Sequence, residues 1–233
     1  MNQNKPEQPA TLHKLGYCEL KEWIKSGYND SNSIKYIFAN LSDIAYKRGH
    51  AEKQQTLKKA GLNKEYLILS EYSSNNFTVF FDVDCKKYII AARGTDLKRG
   101  MSAFDDLYTN SYLVAGNLQK STRYIELTRL YKRLASHYGN DNIILTGHSL
   151  GGALVSHLSQ QYGVAAIIFN EGSSPLAYEY NEKENRYTTH FTTNSVENMT
   201  IDPLSSSSFL SQKQHIIVDK KPESSAHSLS NFI

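Results

Sequence analysis

Gly147, Ser149 and Gly151 form a G-x-S-x-G pattern inside Ile143-Ile144-Leu145-Thr146-Gly147-His148-Ser149-Leu150-Gly151-Gly152-Ala153-Leu154. The chemistry this pattern serves is nucleophilic attack by a serine hydroxyl. The serine sits at a sharp strand-to-helix corner that pushes Oγ out above a sheet. The flanking glycines carry no side chains to clash in so tight a turn. The helix that follows aims its N-terminal amides at a developing oxyanion. A serine hydroxyl is a weak nucleophile at neutral pH, so it needs a histidine base and an acid that orients the imidazole. On a corner of this type the chain order is serine, then acid, then histidine.

That order sorts the eight histidines. His13, His50, His137 and His148 precede the serine, and His157 follows it too closely, on the next helix. His190, His215 and His227 remain. The acid is expected in a loop after a strand downstream of the corner. Asp202, in Thr200-Ile201-Asp202-Pro203-Leu204, stands in such a place, with Glu197 as the alternative. His190 precedes Asp202 and drops out. His215 opens the apolar run His-Ile-Ile-Val, where a core or edge imidazole suffices. His227 follows the polar stretch Lys220–Ala226 and has the freedom of a loop. His227 is the preferred base and His215 the alternative, although six residues remain beyond His227 to anchor its loop.

The elements that must position these residues are readable from periodicity. Asn142 to Thr146 is an apolar strand leading into the serine turn, and a helix over Leu150 to Gln161 leads out, stopped by Gly163. Val164 to Phe169 is an uninterrupted apolar run, as in a strand buried on both faces of a parallel sheet. Strand, helix, strand at this spacing implies a right-handed crossover and an α/β architecture. Upstream, Ser31 to Tyr46 places Ile34, Ile37, Phe38, Leu41, Ile44 and Ala45 on one helical face. Tyr66–Leu69, Phe77–Val83 and Tyr88–Ala92 read as strands, the last two joined as a hairpin. Asn117 to Tyr138 reads as a longer helix ending at Gly139. Arg186–Thr193 and His215–Val218 are further strands.

Leu145 to Leu154, LTGHSLGGAL, resembles the nucleophile elbow of the class 3 lipases, a branch of the α/β-hydrolase family. Ile89-Ile90-Ala91-Ala92-Arg93-Gly94-Thr95 resembles the family's strand ending in an R-G-[ST] turn. Asp105/Asp106 to Asn110 loosely resembles a D-x-x-[DN] segment that follows it. Tyr66 to Phe169 carries most of the likeness. The resemblance implies an α/β-hydrolase fold, with a mostly parallel central sheet and helices on both faces, and a Ser149–Asp202–His227 triad. Asp202-Pro203-Leu204 resembles the family's D-P-[VL] segment. The resemblance also implies an oxyanion hole made by Leu150, the residue after the nucleophile, and by Thr95. Arg93 is expected to hold its turn by an ion pair. Leu97 to Leu113, with Met101, Phe104, Leu107, Tyr108 and Tyr112, is read equally as a lid or as a structural helix. The implied activity is a lipase or phospholipase that cleaves acyl esters of glycerolipids through an acyl-enzyme. The alternatives are a soluble short-chain esterase or thioesterase, and a non-catalytic module that binds lipid or protein.

Composition bounds this reading. The chain of 233 residues suits one compact domain, expected over residues 11–233 after a flexible tail at 1–10. The net charge of +3 is spread thinly, so a nucleic-acid footprint is unsupported. The only partner implied is a lipid or other ester substrate, with transient contact at a membrane interface left open. No metal-ligand spacing or phosphate loop is present, and no cofactor is implied. Cys18 and Cys85 are the two cysteines, a count that fits reducing conditions. With no apolar leader or membrane-length run, the expected location is cytoplasmic, with a non-classical delivery route left open.

Overall fold

In the computed structural model, residues 31–95, 117–172, 188–195, 200–201, 214–219, 221–225 and 227–233 are described. The expected tail at 1–10, the lid-or-helix segment 97–113, Asp105/Asp106 to Asn110, Glu197 and Asp202 lie outside them.

The strands are β1 (Tyr66–Ile68), β2 (Phe77–Asp82), β3 (Lys87–Ala92), β4 (Ile143–Ser149), β5 (Ala165–Glu171), β6 (Thr188–Ser195), β7 (Thr200–Ile201) and β8 (Gln214–Asp219). The helices are α1 (Ser31–Ile44), α2 (Gly49–Lys59), α3 (Thr122–Tyr138) and α4 (Leu150–Tyr162). β1, β2 and β3 pair antiparallel. From β3 the sheet continues parallel through β4, β5, β6 and β8. Asn194 pairs with Ile201 and also with Asp219, so β7 and β8 flank β6 on opposite sides. This is the mostly parallel sheet expected from the crossover pattern.

Alternation along the central strands builds two cores. Ile89, Ile144, Ala165, Ile167 and Phe169 face α1 and α2, packing with Phe38, Leu41 and Leu57. Ile90, Leu145, Ala166 and Ile168 face α3 and α4, packing with Tyr124, Leu127, Leu134 and Leu154. Helices therefore cover both faces. Because each of these strands is buried on both sides, it reads as a continuous apolar run.

Local sequence explains the boundaries. Asp82 Oδ1 accepts from the amides of Asp84 (2.9 Å) and Cys85 (2.8 Å), closing the β2–β3 turn. Ser121 caps α3 by accepting from Tyr124 N at 3.2 Å. α3 therefore begins at Thr122, and Leu118–Lys120 forms a separate 3₁₀ turn. α2 has no counterpart in the sequence reading, because its GHAEKQQTLKK buries only Lys53 and Leu57. A last 3₁₀ turn, Leu229–Asn231, docks the C-terminus: Phe232 is buried, its ring 5.1 Å from that of Phe169.

The cysteine reading is corrected. Cys85 is disulfide-bonded, and the other cysteine of the chain is Cys18, outside the described residues. Two cysteines so far apart in sequence carry no framework spacing from which a bridge can be read.

Candidate active site

The serine turn forms where β4 meets α4. Ser149 takes φ 57° and ψ −128°, a conformation costly for a residue with a Cβ and held only by dense surroundings. Those surroundings are backbone on backbone. A Cβ on Gly151 would overlap Ala92 O and approach Arg93 C at 2.8 Å. One on Gly147 would stand 2.6 Å from the Gly151 carbonyl carbon and oxygen. The helix start thus presses directly against the end of β3. On the other side the β4–β5 register slips at His148/Ser149, and Gly172 N donates to Ser149 O at 2.9 Å.

The R-G-T turn passes close by. A Cβ on Gly94 would lie 2.6 Å from His148 O and 3.1 Å from Ser149 Cβ. Thr95 follows Gly94 in the chain, and Leu150, the first residue of α4, follows the nucleophile. Arg93 is wholly buried and holds this turn through oxygens of neutral groups. It donates to Asn75 O (3.1 Å), Gly94 O (2.9 Å) and Asn76 Oδ1 (3.0 Å), while Arg123 donates to its carbonyl. These bonds supply partners to a fully buried guanidinium. Asn76 Nδ2 donates in turn to Glu126 Oε2 at 3.0 Å, tying the turn to α3.

His227 Nε2 lies 2.8 Å from Ser149 Oγ. The two are 78 residues apart in sequence, so only the tertiary fold brings them together. Within hydrogen-bond reach, a neutral imidazole accepts the serine proton, which is the geometry a general base requires. His227 is held by the short tail after it. Asn231 Nδ2 donates to Ser225 O (2.8 Å) and Ser228 O (3.0 Å), and Lys221 N donates to Asn231 Oδ1 (2.9 Å). With Leu229, Asn231 and Phe232 buried, the final six residues suffice as an anchor.

The other histidines are elsewhere. His190 and His215 are register partners on β6 and β8. His190 forms a buried pair with Glu171, Nδ1 to Oε2 3.1 Å. His157, on α4, packs edge-on against Tyr124 with ring centroids 5.1 Å apart. Burial holds its pKa below the ordinary 6.5, with the nearby Glu171 charge pulling weakly the other way.

Two residues at the site fall outside the sequence reading. His148 Nε2 lies 2.7 Å from the backbone carbonyl of His227, and Tyr46 Oη lies 2.8 Å from His148 Nδ1. His148 drops out of the sequence reading because it precedes the serine, a test for the base alone. Its place beside Ser149 was the available signal. Tyr46 is 102 residues from His148 and has none.

A family model described as phospholipase-like, the Tle-like phospholipase domain, matches residues 30–202. The protein named “Putative lipase ATG15” from Candida glabrata is 43% identical over 70 residues, covering 28% of this chain and 14% of that protein. Its namesake from Eremothecium gossypii is 36% identical over 78 residues, covering 31% of this chain and 14% of that protein. The match thus spans about a seventh of the length of these curated relatives. The Lip2 lipase of Yarrowia lipolytica superposes with a TM-score of 0.51 at 16% identity, over 87% of this chain and 83% of that one. The α/β-hydrolase architecture and the class 3 lipase resemblance read from the elbow are borne out.

Proposed function

The chain belongs to the Tle-like phospholipase domain family, and from that membership we propose that it is a serine carboxylic-ester hydrolase. It is a lipase or phospholipase that cleaves acyl esters of glycerolipids through an acyl-enzyme intermediate. The observation that carries this reading is the 2.8 Å separation of Ser149 Oγ and His227 Nε2 at a positive-φ elbow.

Ser149 Oγ attacks the ester carbonyl as its proton passes to His227 Nε2. The tetrahedral oxyanion is met by the backbone N–H of Leu150 at the start of α4, and by Thr95. His227 returns the proton to the leaving alcohol, which departs and leaves an acyl-Ser149. Water, deprotonated by the same imidazole, then releases the carboxylic acid and restores Ser149. Asp202 serves as the acid that fixes the His227 tautomer, a role assigned by chain order and by the likeness of Asp202-Pro203-Leu204 to the lipase segment.

The substrate is a lipid or other ester, met in transient contact at a membrane interface. Among the described residues, no helix is long and apolar enough to cross a membrane. The disulfide at Cys85 favours an oxidising setting over the cytoplasmic one read from the sequence.

Hydrolysis of p-nitrophenyl esters from acetate to palmitate, and of phosphatidylcholine and triacylglycerol emulsions, tests the proposal. Turnover should rise with chain length and fall by about a thousandfold or more in Ser149→Ala. Cleavage confined to acetate and butyrate would make the protein a short-chain esterase or thioesterase. No turnover of any ester by folded wild type would leave a binding module.

A further inference from the structure

We propose that His148 and Tyr46 are positioning residues that set the catalytic histidine over the elbow by gripping its backbone. The inference rests on the reading of Ser149 as nucleophile and His227 as base. His227 lies in a turn outside any helix or strand, so no backbone ladder fixes its height above Ser149. On the side facing the elbow, its carbonyl is met by His148 Nε2 at 2.7 Å.

A carbonyl oxygen only accepts, so His148 Nε2 carries the proton and donates. In a neutral ring, Nδ1 is then a lone pair, and the Tyr46 hydroxyl 2.8 Å away donates to it. The opposite tautomer would set the Nε2 lone pair against the carbonyl lone pairs at the same 2.7 Å. By donating to Nδ1, Tyr46 therefore selects the tautomer that can hold His227. The room for its hydroxyl exists because residue 94 is glycine, whose Cβ would overlap that oxygen. His148 is 8% exposed, so little water reaches its ring to substitute for either bond.

The consequence is mechanical. His148 is the immediate neighbour of Ser149, so the residue beside the nucleophile holds the main chain of the base. Any drift of the C-terminal loop is referred to the elbow itself. Both bonds act on the main chain of the base through His148, so their loss should slow the chemical step more than it weakens substrate binding.

Steady-state kinetics on p-nitrophenyl butyrate should separate this from plain packing. His148→Phe fills the space without a donor, and kcat is expected to fall about 10- to 100-fold with KM within about twofold, as a small misplacement of a reacting group does. His148→Gln, whose carboxamide both donates and accepts, should recover most of that loss. Tyr46→Phe should lower kcat about 3- to 10-fold by freeing the tautomer. A folded His148→Phe with wild-type kcat, or a His148→Gln as slow as His148→Phe, overturns the proposal. Should His148→Phe not fold, Tyr46→Phe decides, and wild-type kcat in that variant overturns it. His227→Ala separates the two levels. Full activity there overturns the reading of His227 as base, whereas loss of activity there with full activity in His148→Phe overturns the positioning role alone.

Discussion

The nucleophile and its base are held by opposite strategies. Ser149 is clamped by main chain against main chain: Gly151 against Ala92 and Arg93, Gly147 against Gly151, and Gly172 N on Ser149 O. His227 is held by side chains: Asn231 on the carbonyls of Ser225 and Ser228, His148 on the carbonyl of His227, and the Phe232 ring against that of Phe169. The first arrangement is rigid and intolerant of a single added methyl. The second is built from separable contacts, so it can be loosened by degrees and should lose activity before it loses fold.

The largest effect is expected at the clamp. Gly151→Ala places a methyl on Ala92 O, and should cost more than about 4 kcal/mol or abolish folding, read by urea denaturation. On the side-chain-held half, Phe232→Ala empties a buried aromatic site and should cost about 3–5 kcal/mol, with kcat falling alongside. If kcat held while stability fell, the tail would be a core plug with no bearing on His227. Reduction of the Cys85 disulfide in the β2–β3 turn should cost about 2–4 kcal/mol and leave kcat unchanged, since Cys85 precedes the start of β3 and the clamp on Ser149 is made at the strand's other end. Thiol titration of the unreduced, denatured protein should find no free cysteine. Asn231→Ala removes three bonds around the base loop. It should cost about 1–3 kcal/mol, and a larger fractional loss in kcat than in stability would sharpen the contrast.

The smallest effect concerns pH. Burial keeps His157 neutral in the folded chain, with its pKa below 6.5. The unfolded chain takes up the proton first as pH falls, so this stability is present above pH 6.5 and is lost as pH drops below it. Urea midpoints between pH 7.5 and 5 should decline slightly more in wild type than in His157→Gln.

The same contrast decides what the sequence disclosed. The elbow is local: its glycines, its strand and its helix are consecutive, and steric necessity writes them as G-x-S-x-G. The two-sided strands are legible for the same reason, as unbroken apolar runs such as Val164–Phe169. The base could be narrowed to His227 or His215 by chain order, but not docked, because its anchors are ordinary residues until the fold sets Asn231 on Ser225 and Ser228 and Phe232 on Phe169. The polar helix α2 escaped because burying one leucine and one lysine leaves no period. Tyr46 escaped because its partner lies on another element. Cys85 misled because pairing is a matter of distance in space, which two isolated cysteines do not encode.

The most direct measurement is covalent labelling with a fluorophosphonate, followed by peptide mapping. Wild type should take one phosphonyl group on Ser149 within minutes, His215→Ala should label as fast, and His227→Ala should label at least about a hundredfold more slowly, as loss of a general base demands. Unchanged labelling of Ser149 in His227→Ala, or labelling that moves to another residue, would contradict the pairing of Ser149 with His227.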